Sequence, residues 1–530
     1  MSGYLPVLIV GAGPTGLMMA CELARQGVSF RIIDKNPEQT LSSNATWIQT
    51  CTIEIFDHIG IVDRFLKIGH PCDGIHLYID GKSLVTIPLN NIDSIYPFVL
   101  MLAQSETERL LIDRLEEFNK RIERSLELID VKQDNNAVIA TIKHADGNTE
   151  IITSDWLIAC DGANSTVREK CHIFFPGENL TEQFIVADAK IDSYMANNEI
   201  HVFFDHGAIF AASPLGPNNY RITANLHLDY PRKIFTEREV IEMAQERAYG
   251  AYYVNKASWI SSFWIHSKLV KHMRHDSIFL AGDAAHIHSP AGGQGMNTGL
   301  QDTYNLAWKL ALVIKGKAKP ALLNSYQLER YPVVNNIVDQ TERLTKMALF
   351  DKAFLSKLRK FSSKFLHNEA VLSKKIGTQI TQLDIRYKES PAISYDESTS
   401  AKSPRQGEHA PDVIIDSSKR LYDYLRNMLH NILLFTGPGP SAKKNELDKL
   451  KQLQKLLNQI YSQQIKIYII TNEELKDMDN VILDVNNSIH DRYNIKHPSI
   501  YIIRPDGYIA YYSKNFNHTL IEDFLKRYLY

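Results

Sequence analysis

Residues 5–34 read LPVLIVGAGPTGLMMACELARQGVSFRIID, and their pattern decides the fold. Residues 5–10 are uninterruptedly apolar, as in a strand buried on both faces. A helix is expected over 14–26 and a second strand over 29–34. Strand, helix and strand within about 30 residues make a βαβ unit. Gly11, Ala12, Gly13, Pro14, Thr15 and Gly16 form its first turn. Glycines there allow a tight turn, close approach to a pyrophosphate and close helix–strand packing. The helix N-terminus then offers its N–H groups to phosphate. Asp34 ends the second strand, where it can accept hydrogen bonds from a ribose diol, and Lys35 follows it. This context points to a dinucleotide site and leaves FAD and NAD as alternatives.

The composition of the whole chain is that of a globular protein. Of its 530 residues 44% are hydrophobic and 23% charged, which excludes a disordered chain or a collagen. Lys plus Arg is 59 and Asp plus Glu 61, so the charge balance gives no reason to bind nucleic acid or anionic lipid. The first 21 residues carry no charge, but Gly11, Gly13, Pro14 and Gly16 interrupt them and no basic residue precedes them, so neither a signal peptide nor a span is expected. The five cysteines include no C-x-x-C pair, and none follows Cys171, which points to a reducing compartment, the cytoplasm.

Two further motifs follow apolar strands. Residues 137–160 read as a hairpin turning at Asp146-Gly147 and ending in WLIAC, directly before Asp161-Gly162. Asp-Gly at a strand end is commonly a plain turn, in which Ser165 and Arg168 would be wasted. The strand IFLAG, 278–282, delivers Gly282-Asp283 to the loop Pro290-Ala291-Gly292-Gly293-Gln294-Gly295-Met296-Asn297. Asp283 can hold a ribityl or ribose hydroxyl, and the glycines let backbone approach a flat ring. A helix expected from about 298 aims its positive end at whatever the loop binds.

Helices are also expected over 52–68 and 105–124, and a helical region from about 320 to 380. Residues 184–230 read as a largely antiparallel sheet. Strands are expected at 431–435, 464–470, 499–503 and 508–512, with helices over 442–459 and 518–529 and a hairpin turn at Pro505-Asp506-Gly507.

The three motifs, in this order and spacing, resemble the single-component FAD-dependent aromatic hydroxylases, the p-hydroxybenzoate hydroxylase and phenol hydroxylase group. The run AGDAAHIHSPAGGQGMNTGLQDTYNLAWKLA, 281–311, looks like that family's longest signature, and Gln104 and Glu329-Arg330 match family positions. The resemblance implies an α/β fold in which a Rossmann-like FAD-binding domain is interleaved with a β-sheet substrate domain. FAD-binding parts would be about 1–72, 97–175 and 273–345, with the substrate sheet about 73–96 and 176–272 and a helical region 346–388. Residues 389–409 would be a linker, and 410–530 a thioredoxin-like α/β domain without redox cysteines. Ending the chain at the linker would then leave the cofactor site whole.

The implied reaction is hydroxylation of a phenolic or polycyclic aromatic substrate by dioxygen through a flavin C4a-hydroperoxide, with NADPH or NADH as transient reductant. An epoxidase, a Baeyer–Villiger oxygenase or a flavin oxidoreductase would share the cradle. Rab escort and GDP-dissociation-inhibitor proteins keep a related scaffold without flavin. A homodimer is compatible with the family. Many relatives carry arginines where Asn44 and Cys51 stand, and Lys35 or Arg31 could supply the missing cation. No catalytic residue is assigned. His201, Tyr220, Arg221 and His227 are candidates for activating a phenol, each equally suited to ordinary sheet surface. His286 and His288 lack metal-site spacing, so no metal is expected. Cys160 reads as a small buried hydrophobe, and a cis peptide is expected at His497-Pro498.

Overall fold

A computed structural model describes residues 4–40, 45–134, 137–205, 207–226, 234–290, 292–350, 369–394, 402–417, 419–438, 444–475, 478–514 and 516–530. The chain divides into two compact units. The first is Met1–Asp57, Ile61–Thr303 and Tyr331–Leu383, and the second is His58–Gly60, Tyr304–Arg330 and Asp384–Tyr530. The second unit thus takes in a segment lying well upstream of the 389–409 stretch.

The first unit holds two large sheets. One has the strand order 274–275, 278–280, 149–159, 4–10, 30–34, 123–124, widened by the strands 137–144 and 126–134. Its inner strands are parallel, and Val7, Leu8 and Ile9 are fully buried, as the apolar run requires. The hairpin expected over 137–160 is present as Ala137–His144 against Thr149–Ala159. The other sheet runs 286–287, 252–269, 177–193, 219–226, 208–216, 199–205, 74–79, 82–88. All its pairings are antiparallel except that of 199–205 with 74–79. Alternate residues of this sheet face opposite ways. Tyr78, Phe203, Ala212, Tyr220 and Ile222 pack beneath the helix Glu237–Arg247, whose start is fixed by a capping box from Thr236 to Glu239. Ile75, Ile87 and Ile200 face the other way, against Val99, Met101 and Trp47.

Several helix boundaries differ from expectation. The helix expected over 52–68 is two, Thr50–His58 and Val62–Ile68, broken where Gly60 takes φ +77°. The helix expected over 105–124 ends at Glu117, because Asn119 turns left-handed and Glu123–Arg124 joins the sheet beside Asp34. The helix after the glycine-rich loop begins earlier, at Gly295, and runs to Ile314. Of the region 320–380, a short 3-10 turn Pro320–Leu323 and the helices Asn324–Phe350 and Glu369–Ile380 are described; 351–368 lie outside the described residues.

The second unit is built on a five-stranded sheet ordered 481–483, 465–471, 430–435, 499–503, 509–513. The first three strands are mutually parallel and the last two antiparallel. Ile432, Leu434, Ile467 and Ile500 lie on one face with Trp308, Leu312, Leu322 and the helix Lys444–Tyr461. Leu433, Phe435, Tyr468 and Tyr501 lie on the other with Leu421, Tyr422 and Tyr493. The turn at 505–507 forms as expected: Gly507 takes φ +82° and its N–H donates to the Arg504 carbonyl over 2.9 Å. The cis peptide expected at His497-Pro498 is not there; every described peptide bond is trans, the ordinary preference even before proline.

Candidate active site

In the first unit, strand 149–159 lies between strands 4–10 and 278–280, with Val10 beside Ala159 and Ala159 beside Leu280. A ladder crosses their carboxyl ends. Gly11 N–H donates to Ile33 O over 2.8 Å, Cys160 N–H to Val10 O over 2.8 Å, and Ala281 N–H to Ala159 O over 3.0 Å. Gly11, Asp161 and Gly282 therefore leave adjacent parallel strands side by side, where open α/β sheets bind their ligands.

The glycines divide the work. Gly11 takes φ +99°, and a Cβ on it would stand 2.3 Å from the Cys160 carbonyl oxygen. A Cβ on Gly16 would stand 1.9 Å from Gly11 O, so both are required by packing. A Cβ on Gly13 would meet nothing within 4 Å. Gly13 caps the helix Pro14–Arg25 without a side-chain hydrogen bond, so an open anion-binding helix end lies beside it. Asp34 accepts Ala12 N–H at Oδ2 over 2.7 Å and Asn36 N–H at Oδ1 over 2.8 Å, which locks the turn. The Arg124 guanidinium stands 3.8 Å from Asp34 Oδ1.

Thr15 joins the first motif to the third. Cβ atoms on Gly282 or Gly299 would each come within 2.5 Å of Thr15 Oγ1. Arg168 joins the second to the third, donating to Ala284 O over 2.9 Å and to Ala163 O over 2.7 Å. Ser165 caps the helix Thr166–Lys170 through Arg168 N–H and donates to Asp161 Oδ1 over 2.6 Å, while Val167 N–H donates to Oδ2. Ser165 and Arg168 are thus the braces of the motif, and burial raises the pKa of Asp161.

Asp302, which the sequence reading passed over, organises the third motif. Its Oδ2 accepts Gly282 N–H over 3.1 Å and His286 Nε2–H over 2.6 Å, both buried. Asp283 is exposed to solvent yet surrounded by protein, the signature of a residue lining a crevice; desolvation raises its pKa and His286 opposes the shift. His288 Nδ1 lies 2.9 Å from a carbonyl, that of Ser289, so it carries the proton and Nε2 carries a lone pair. That Nε2 is buried without a hydrogen-bond partner, about where a Cβ on Gly295 would come within 3.9 Å. Burial pushes the His288 pKa down to about 4. Asn297 pins the loop: Oδ1 accepts Gln49 N–H over 2.9 Å, and Nδ2 donates to Trp47 O and Gly293 O, each over 2.8 Å. Gly293, at φ +60°, lies so close to Trp47 that a Cβ would come within 2.7 Å of that side chain. Trp47 Nε1–H in turn donates to Ser213 Oγ on the second sheet over 3.2 Å.

An open helix end, a crevice-lining carboxylate and an unsatisfied buried imidazole nitrogen fit a long polar cofactor with a flat ring. Comparison with known proteins decides which one. The family described as FAD binding domain matches residues 4–341. An uncharacterized aromatic compound monooxygenase of Bacillus subtilis is 34% identical over 423 residues, 79% of this chain and 83% of the relative. Pentachlorophenol 4-monooxygenase of Sphingobium chlorophenolicum is 30% identical over 453 residues, 84% of this chain and 82% of the relative. The chain belongs to the FAD-dependent aromatic hydroxylases. The structure of the anhydrotetracycline hydroxylase OxyS from Streptomyces rimosus is similar over 99% of both chains, at 25% identity and a TM-score of 0.77.

FAD is the cofactor of this monooxygenase. All residues of the three motifs that are described lie in its first unit; Ala291 lies outside the described residues. Gln104 is turned onto the protein, its Oε1 accepting Ala45 N–H over 3.3 Å and its Nε2 donating to Glu108 over 2.9 Å. Lys35 is exposed. Pro290 O accepts Gly293 N–H over 2.9 Å, and Gln294 O accepts Thr298 N–H over 2.9 Å, which starts the Met296-containing first turn of the helix. Of the two positions lacking arginine, Asn44 lies outside the described residues. Cys51 sits in a neutral cluster, its Sγ accepting Gln301 Nε2–H over 2.9 Å.

Of the phenol-activating candidates, His227 lies outside the described residues. Tyr220 belongs to the core under helix 237–247, and His201 is buried on the same face against Tyr78. Arg221 and Ser213 are cross-strand partners that alternate with that core and face the other way. Arg221 pairs with Asp188 over 2.5 Å and lies 4.6 Å over the Trp259 ring.

Proposed function

We propose that this monooxygenase hydroxylates a phenolic or polycyclic aromatic compound, using NADPH or NADH as reductant. The observation that carries the reading is the convergence of the three motifs at the carboxyl ends of adjacent strands, with the loop of the third held against Trp47, which is bonded to the second sheet. The relatives' names support the substrate class, since they include pentachlorophenol 4-monooxygenase and 6-methylpretetramide 4-monooxygenase.

FAD, when bound, would take two electrons from the nicotinamide and pass them to dioxygen, chemistry that no side chain can perform. The backbone around Gly11–Gly16 would hold its pyrophosphate, with Asp34 keeping the turn rigid, and Asp283 would accept from its polyol chain. The helix opening at Gly295 would place its positive end toward the ring, where reduction leaves negative charge. His288 is neutral across the working range and presents Nε2 as an acceptor for an N–H or O–H group in the crevice. The aromatic substrate would lie between residues 292–296 and the sheet face bearing Ser213 and Arg221. Trp47, packed against Gly293, would shield one edge of that space from water.

The second unit, by this reading, contains a thioredoxin-like domain from about 410 onward. Its strand order and mixture of directions support that, and the absence of cysteine after 171 leaves it no thiol chemistry. Its role is structural. The missing pairs and motifs among the cysteines fit a reducing, cytoplasmic setting.

The test is NADPH and NADH oxidation and oxygen uptake by the flavin-loaded enzyme with a panel of phenols and fused-ring phenols, with product mass as readout. A gain of one oxygen supports the proposal. Flavin-loaded protein that incorporates oxygen into no electron-rich aromatic, or that converts ketones or alkenes instead, overturns it.

A further inference from the structure

On the face of the second sheet that carries helix Glu237–Arg247, opposite to Trp47, three side chains converge. His76 and His201 are direct partners on adjacent parallel strands, and Glu199 lies two residues before His201 on the same face. One donor atom from each lies within 4.8 Å of the other two. His76 Nδ1 and Glu199 Oε2 are 3.2 Å apart. Two ligands at the usual zinc distances on a tetrahedron are separated by about 3.3 Å.

The hydrogen bonds around the cluster set the ring nitrogens up for this. His201 Nε2 lies 2.8 Å from the Ala196 carbonyl oxygen, which can only accept, so the proton is on Nε2 and Nδ1 holds a lone pair. That Nδ1 faces the Tyr78 hydroxyl, 3.2 Å away, which can rotate. His76 Nε2 is 2.8 Å from Ser83 Oγ, so its proton too has an acceptor on the nitrogen remote from Glu199. Thr86 Oγ1, 3.0 Å from His76 Nδ1, stands where it can hold a fourth, water ligand. In protein metal sites a ligating histidine characteristically donates its other ring nitrogen to a carbonyl or hydroxyl in this way.

We propose that His76, Glu199 and His201 form a zinc site, with two imidazole nitrogens, one carboxylate oxygen and one water around the ion. The site ties strand 74–79 to strand 199–205 and, through Ala196, holds the preceding turn. Because strand neighbours alternate, the adjoining residues Ile75 and Ile200 carry the opposite, Trp47-facing surface. Zinc there stiffens the substrate sheet without touching the flavin crevice. The sequence could not show this, since His76 and His201 are 125 residues apart.

The experiment uses tag-free, full-length, FAD-loaded protein, stripped with EDTA and titrated calorimetrically with ZnCl2, with thermal unfolding measured in parallel. The wild type should bind one equivalent and melt higher with zinc. His76→Gln and Glu199→Gln should each weaken that equivalent at least tenfold and abolish the thermal gain, while keeping the flavin spectrum and the metal-free melting temperature. Ser83→Ala, which removes only the hydroxyl behind His76, should weaken zinc about tenfold or more without altering metal-free stability. No zinc binding by the wild type, or equal binding by the wild type and all three variants, overturns the assignment.

Discussion

Replacing Glu329 by glutamine should loosen the second unit far more than an isosteric change suggests. Glu329 is about 1% exposed, and its carboxylate receives five hydrogen bonds. Arg504 donates to Oε1 over 2.6 Å and to Oε2 over 3.0 Å, Lys309 Nζ to Oε2 over 2.7 Å, Asn305 to Oε2 over 2.6 Å and Ser390 to Oε1 over 2.5 Å. Asp506 completes the group by accepting Arg504 Nε–H over 2.9 Å and Trp308 Nε1–H over 3.0 Å. Two buried cations and two buried anions thus balance. Burial alone would raise the Glu329 pKa, but Arg504 and Lys309 outweigh it and hold the carboxyl well below its usual range. Burial pushes Lys309 down to about 8, against the pull of Glu329.

The substitution Glu329→Gln would leave one buried positive charge uncompensated. Breaking a buried pair in this way costs about 3–5 kcal/mol, a large part of a typical total stability of about 5–15 kcal/mol. The pH dependence carries a second signature. The depressed pKa of Glu329 contributes stability that is present above pH 4.5 and is lost as pH falls toward the folded value, so the variant should lack that acid-sensitive component. Lys309 has the opposite sense: its folded pKa lies below 10.5, so the wild type gains stability as pH rises from about 8 toward 10.5. Without Glu329 the proton on Lys309 is held less tightly, so the variant should recover part of its loss from a lower pH. Urea unfolding at several pH values, with hydrogen exchange followed in peptides covering 499–513, measures both effects. Exchange as slow as wild type at pH 7, with an unchanged urea midpoint, would refute the reasoning.

Three other outcomes are expected. Asp34→Ala removes the acceptor of the Ala12 and Asn36 amides and should weaken FAD by about 1.5–3 kcal/mol, roughly tenfold to a hundredfold; wild-type affinity on titrating the apoprotein would show that Asp34 does not shape the site. Gly16→Ala, with its Cβ 1.9 Å from Gly11 O, should fail to fold around FAD, whereas Gly13→Ala should fold normally and bind FAD more weakly; equal behaviour of the pair in thermal melting would contradict the division of labour among these glycines. Ending the chain after residue 388 should give insoluble protein, because Trp308, Leu312 and Leu322 lose the sheet that buries them; a soluble fragment with wild-type flavin content would count against the division into units.

The strand ends that carry the three motifs were legible in the sequence because their requirements are local. An apolar run, a glycine turn and an acidic strand end are adjacent in the chain, and the structure places all three motifs on neighbouring strands. What stayed hidden is what each motif leans on. Asp302 reads as one more polar residue on a helix, although it holds Gly282 and His286; a polar residue at a core position of an apolar helix was the available signal. Trp47 and Gln49 lie about 250 residues from Asn297, and no periodicity joins them. Helix 295–314 shows one continuous pattern, yet Tyr304 onward belongs to the second unit. Glu329-Arg330 could be matched as a motif, but not recognised as the partner of Arg504. The breaks at Gly60 and Asn119 turn on single left-handed residues within otherwise helical patterns.

The burial of the thiols bears on how long the enzyme survives its own chemistry. A flavoenzyme that reduces dioxygen without transferring it releases hydrogen peroxide, and peroxide attacks the thiolate form of cysteine. Cys21, Cys72 and Cys160 are buried, and burial pushes each thiol well above its usual pKa. Burial pushes Cys171 up to about 11, so its thiol too stays protonated at neutral pH. Cys160 matters most, because its backbone forms the floor under Gly11 and its Cβ would lie 3.3 Å from a Cβ on Gly16. A sulfenic acid there would press on the nucleotide turn from beneath. If FAD sits on this turn as proposed, keeping that sulfur protonated protects the turn from the oxidant that futile turnover would generate beside it.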